Sequence, residues 1–124
     1  MKKTIILCAA FLLTSCAALN VSFWDDNEAY RAIDIRVQAE RINCDQNNSL
    51  TNLQLQSLQY NIKWLKTYSE SKRTRDVTEM IVPIEATIDD FVNRESYSPA
   101  YCKIKRNVIM EQSKVMARAI MVRY

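Results

Sequence analysis

Cys8, Cys16, Cys44 and Cys102 are the four thiols of this 124-residue sequence. No two of them stand in a C-x-x-C arrangement, the spacing that a redox pair or a zinc knuckle uses. The chain contains no histidine. Imidazole general bases, Ser-His dyads and imidazole metal sites are therefore excluded. It also contains no glycine, so it has no phosphate-cradling glycine loop and no glycine-flanked nucleophile turn. Of the acids, Glu85, Asp89 and Asp90 crowd one region. Glu85 and Asp89 are four residues apart, so on a helix they share a face and are candidates for a hard cation or for paired acid chemistry. Nothing nearby completes such a site, and a solvated acidic face is the simpler reading. No metal, cofactor or small-molecule substrate is expected.

The N-terminus carries a more specific pattern. Lys2 and Lys3 form a basic start, and Thr4 to Leu13 is an apolar run of ten residues, half of the ~20 needed to span a bilayer. A basic start, a brief apolar core and small residues before a cut site describe an export signal. Leu13-Thr14-Ser15-Cys16 resembles the lipobox of bacterial lipoproteins. That resemblance implies a lipid on Cys16, cleavage just before it and further acylation of the new N-terminus. More than one acyl chain makes anchoring durable where a single chain holds only reversibly. Residue 17 is Ala, whereas an Asp there often retains such proteins at the inner membrane, so the outer membrane, on its periplasmic face, is the expected location. The alternative is an ordinary signal cut near Ala17 with Cys16 discarded.

Cleavage divides the chain into a signal peptide (residues 1–15), a lipidated tether (16–24) and one domain (25–124). The processed chain has 109 residues, and because Lys2 and Lys3 leave with the signal its formal charge falls from +3 to +1. That balance disfavours a polyanion partner such as nucleic acid. Cys44 and Cys102 remain as one possible pair, and an exported chain meets an oxidising compartment, so a disulfide is expected. Two buried free thiols are the alternative.

The elements that must position these residues are helical, since turns requiring positive φ are hard to build without glycine. Asp25 or Asp26 caps a first helix that runs to about Asn43. It carries two apolar stripes, Ala32, Ile35, Ala39 and Ile42, and Tyr30, Ile33, Val37 and Cys44; a helix apolar on two sides is expected between neighbours. A second helix begins near Ser49 or Thr51, with Thr51 and Gln54 spaced as a capping box and Leu55, Leu58, Ile62 and Leu65 as its stripe. Residues 69–76, SESKRTRD, read as a charged, solvated connector. A third helix carries Val77, Ile81, Ile84, Ile88 and Phe91, and Pro83 should kink or interrupt it. Ser98-Pro99 begins a fourth helix, whose main face is expected to be Tyr101, Ile104, Val108, Val115, Ala119 and Val122, with Ile109, Met116 and Ile120 beside it. Short connections predict an all-α, up-and-down bundle of four helices. There the end of the first helix lies beside the start of the fourth, within reach of a Cys44–Cys102 bond.

Two surfaces are candidates for a partner. Phe23-Trp24 stands beside the tether, and its simplest reading is packing on the domain's own core; a membrane interface or a partner's pocket are the others. The last turns carry flexible apolar side chains at Met116, Ile120 and Met121. The expected function is that of a non-enzymatic, lipid-anchored protein that binds another envelope protein. In outline the chain resembles small phage-encoded lipoproteins, whose roles include lysis as outer spanins and exclusion of other phages. Its Cys44, Cys102 and surrounding helices resemble, more loosely, the disulfide-bonded secretion pilotins. Outer spanins are proline-rich, and this chain has two prolines. A periplasmic immunity protein, or an enzyme or inhibitor acting at peptidoglycan through the 69–76 connector, is the remaining alternative. If Cys16 is the acylated residue, Cys16→Ala will abolish incorporation of radiolabelled palmitate; continued labelling refutes the assignment.

Overall fold

A computed structural model of the chain describes residues 23–45 and 48–123. Four helices make the fold, α1 (Asp26–Glu40), α2 (Asn48–Lys72), α3 (Arg75–Val92) and α4 (Pro99–Met121), and the described residues contain no strand. α1 packs on α2 and α4, and α3 packs on the same two. This is the up-and-down bundle that the apolar spacing requires. The signal peptide, Cys8 and Cys16 lie outside the described residues.

Each inward face is a 3.6-residue stripe. α3 buries Val77, Ile81, Ile84, Ile88 and Phe91, and α2 buries Leu55, Leu58, Ile62 and Leu65. α1 contributes small side chains, Ala29, Ala32 and Ala39, around a single large one, Ile35. Small residues let helices approach closely, and α4 answers with Ser113 and Ala117 among its buried positions. The second α1 stripe is not sandwiched as expected. Tyr30 and Ile33 are exposed, because neighbours cover only the alanine face.

α3 runs through Pro83 without a break. Proline inside a helix costs about 3 kcal/mol, but Pro83 sits on the exposed side, and the five buried side chains of α3 hold both halves to the same core. The Thr87 hydroxyl donates back to the Pro83 carbonyl at 2.9 Å.

The connections are built from side chains rather than glycines. Asp25 caps α1, accepting from the Asn27 and Glu28 amides at 3.0 Å each. Burial raises the Asp25 pKa, but hydrogen bonds from the Glu28 amide, Lys72 and Tyr68 outweigh it and hold the carboxyl below its ordinary value. The capping box expected at Thr51 and Gln54 does not form. Both side chains reach back to the end of α1 instead: Thr51 Oγ1 donates to the Asn43 carbonyl at 2.5 Å, and Gln54 accepts from the Asn43 amide at 2.8 Å while donating to the Arg41 carbonyl at 3.0 Å. Helix α2 starts earlier than the capping box needs, so Thr51 lies inside it.

The expected connector at 69–76 is also absent. α2 continues to Lys72 and α3 starts at Arg75, leaving two residues between them. Arg73 takes φ 60°, the left-handed position that glycine usually fills. The Thr74 amide bonds the Ser69 carbonyl at 2.9 Å and the Arg73 amide bonds the Glu70 carbonyl at 3.1 Å, the paired bonds of a Schellman motif. Two satisfied carbonyls offset the ~1–2 kcal/mol that an L-residue pays in this conformation. Ser98 and Pro99 begin α4 as expected, with Ser98 accepting from the Tyr101 amide at 3.1 Å.

Cys44 and Cys102 are bonded, with their Cα atoms 5.6 Å apart. The bond joins the segment after α1 to the first turn of α4. It closes a long loop, so breaking it releases unfolded-chain entropy. Cys44→Ser/Cys102→Ser is expected to lower stability by about 4 kcal/mol, measured by denaturant unfolding. A reductant should produce the same loss in the wild-type chain and none in the variant.

Candidate functional site

Helix α4 turns toward the core a face other than the one its hydrophobicity favours. Cys102 must point inward to meet Cys44, and Ile109, Ser113, Met116, Ala117 and Ile120 follow it along the buried side. The β-branched stripe is left outside: Ile104 is 63% exposed, Val108 41%, Val115 62% and Val122 67%. Met116 and Ile120, expected to contact a partner, are therefore corrected to core positions with no exposed surface. Met121, in the last turn, remains half exposed.

Beside this stripe, α3 and α4 enclose a hollow of about 460 Å³, lined by Glu79, Met80, Pro83, Glu111, Gln112, Val115 and Met116. Its floor is apolar. Pro83 contributes its ring, and it has no N–H to donate to the Glu79 carbonyl. Gln112 forms one wall and lies 3.4 Å from the Thr87 hydroxyl. Two carboxylates stand at the rim: Glu79 pairs with Arg75 at 2.9 Å and Glu111 with Lys114 at 3.6 Å. Both pairs are exposed, and exposed pairs contribute little to stability. The arrangement is an apolar recess with ion pairs at its edge, which suits an apolar side chain.

The three acids of α3 do not form a common site. Glu85 pairs with Lys66 at 2.6 Å, Asp89 accepts from Gln59 at 2.6 Å, and Asp90 pairs with Lys105 at 2.7 Å and accepts from the Tyr101 hydroxyl at 3.0 Å. Each partner comes from a neighbouring helix, so the carboxylates are drawn apart. Among the described residues no cluster of acids and cysteines is arranged to hold a metal ion. The Lys105 ammonium, with help from the Tyr101 hydroxyl, holds the Asp90 carboxyl below its ordinary value, and the hydrogen bond to Glu85 raises Lys66.

Phe23 and Trp24 do not pack on the core. Phe23 is 85% exposed and Trp24 40%, and the Trp24 indole donates to Asp26 at 2.6 Å. They flank a second hollow of about 320 Å³, shared with Asp25, Lys72, Arg73 and Thr74.

Sequence reasoning missed a buried ionic network at the same end of the bundle. Glu28 is fully buried in the first turn of α1. It accepts from Arg123 at 3.2 Å and from the Thr74 hydroxyl. The other arm of the Arg123 guanidinium binds Asp76. One side chain just beyond α4 thus joins α1 to α3, and Glu28 draws in the α2–α3 turn through Thr74. The signal was present in the spacing: Glu28 lies four residues before Ala32 and Arg123 three after Ile120, so both extend buried stripes. Breaking such a pair strands a buried charge and costs about 3–5 kcal/mol. Arg123→Met should lose stability of that order, and adding Glu28→Gln should restore a large part of it. Equal losses in the single and double variants, measured by denaturant unfolding, would exclude a stranded charge as the cause.

The chain matches no protein-family model, no curated protein and no solved structure.

Proposed function

We propose that this chain is a non-enzymatic, lipid-anchored module of a bacterial or phage envelope, and that it binds a protein partner through the outward face of α4 and the hollow beside it. The observation that carries this reading is the exposed row Ile104, Val108, Val115 and Val122. Apolar side chains that the domain leaves uncovered along one side of a helix, here with Glu111 between Val108 and Val115, are a candidate interaction surface. The rim of that hollow is polar, with Glu79 paired to Arg75 and Glu111 to Lys114. The Leu13-Thr14-Ser15-Cys16 sequence supports the anchor. No helix of the described residues is long and apolar enough to cross a membrane, so on this reading attachment falls to lipid on Cys16.

The non-enzymatic part rests on composition and on geometry. Histidine and glycine are missing from the sequence, and the α3 acids are each committed to a separate neighbour. An inhibitor of a peptidoglycan-degrading enzyme would need a surface other than 69–76, because those residues complete α2, a two-residue turn and the start of α3. Lysis, exclusion, secretion and immunity are the roles left to the partner's identity.

A photo-crosslinking residue placed at Val115 in cells is expected to yield a discrete adduct with one envelope protein. The same residue at Tyr60, which is as exposed on α2, should yield none. Val115→Lys should abolish function while changing stability by no more than about 0.5 kcal/mol. Equal labelling at Val115 and Tyr60, or full function in Val115→Lys, would refute the surface.

A further inference from the structure

Phe23, Trp24, Lys72 and Arg73 come together at one end of the bundle around the 320 Å³ hollow. This is also the end from which the chain leads back to Cys16. Six residues, 17–22, separate Cys16 from Phe23, and a segment of that length reaches at most ~20–25 Å. A lipid on Cys16 therefore holds this end within one short tether of the bilayer. We propose that this end seats on the surface of an anionic bilayer, with Phe23 and Trp24 at headgroup depth and Lys72 and Arg73 against the phosphates. The inference rests on the lipid-anchor reading and goes beyond it, since a tether alone leaves the domain free to turn.

The chemistry of the end supports the seat. Aromatic side chains concentrate at membrane interfaces, and basic residues beside them gain from negative headgroups. Phe23 is the most exposed of the large apolar side chains among the described residues, at 85%. Arg73 makes no ion pair among the described residues. Of the acids at this end, Asp25 is engaged by Lys72 at 3.3 Å and by the first amides of α1, Asp26 by the Trp24 indole and Asp76 by Arg123, while Glu70 is exposed in the last turn of α2. Once seated, the bundle stands on one end, and the hollow at Glu79–Pro83 lies roughly 6–12 Å up from the start of α3 at 1.5 Å per residue.

The test uses the full-length chain, processed and lipidated in cells, in a Trp64→Phe background that leaves Trp24 as the sole indole. Mass spectrometry first reads the lipid on Cys16. The purified lipoprotein is then reconstituted into vesicles of phosphatidylethanolamine and phosphatidylglycerol, with and without dibrominated phospholipid. Trp24 emission is expected to shift to the blue and to be quenched by the bromines. Arg73→Gln, which keeps the same backbone demand, should shift the seated-to-lifted ratio about fivefold toward lifted. A lipidated, vesicle-bound chain whose Trp24 emission is neither shifted nor quenched overturns the seat and leaves the anchor standing. Shielding of Trp24 that appears only when other envelope proteins are added also overturns it, in favour of a protein contact there. Absence of the lipid mass overturns the anchor, and the seat with it.

Discussion

The guanidinium of Arg123, enclosed between Glu28 and Asp76, is the contact on which one end of this bundle depends. Helices α1 and α4 meet there with no covalent link, whereas at the other end Cys44 and Cys102 join the same two helices. The two fastenings differ in kind. A disulfide acts largely by limiting the unfolded chain, and it tolerates any compartment that keeps it oxidised. A buried ion pair acts through the folded state, where removing either charge leaves the other stranded in a medium that solvates it poorly. Between them the apolar stripes need only fill space, which explains how so many alanines in α1 suffice.

The surface follows from the same constraint. With Cys102 fixed inward at the start of α4, the register of the whole helix is set, and residues seven and fourteen positions on, Ile109 and Met116, are carried into the core. Ile104, Val108, Val115 and Val122 are then outside by geometry. Their exposure does not come from weak hydrophobicity. It comes from a helix that turns Cys102, Ile109, Met116 and Ile120 inward, with Ser113 and Ala117 among them.

Much of the fold was legible from spacing alone. The four-three alternation of Val77, Ile81, Ile84, Ile88 and Phe91 marks a helix face that no other element reproduces, and all five are buried. The Leu55–Leu65 stripe, the Ser98-Pro99 start and the cystine were legible for similarly local reasons. What spacing does not show is which of two apolar faces wins. In α4 the richer face lost, because a covalent bond outranks a difference in side-chain hydrophobicity. The polar residues were misread for a related reason. Thr51 and Gln54 have the spacing of a capping box and Thr74 lies in a charged stretch, yet in a chain without glycine their side chains supply turn contacts to Asn43, Arg41 and Glu28. The hollow under Pro83 was not legible, since it depends on how far apart α3 and α4 stand, and no single stretch encodes that distance.

The buried pair of Glu28 and Arg123 spans 95 residues of sequence, and that span has a temporal side. The ribosome incorporates the carboxylate long before the guanidinium that neutralises it. Every nascent length in between holds that acid without the guanidinium that meets it in the folded chain. The first turn of α1 is therefore completed only when the last residues of the chain are in place.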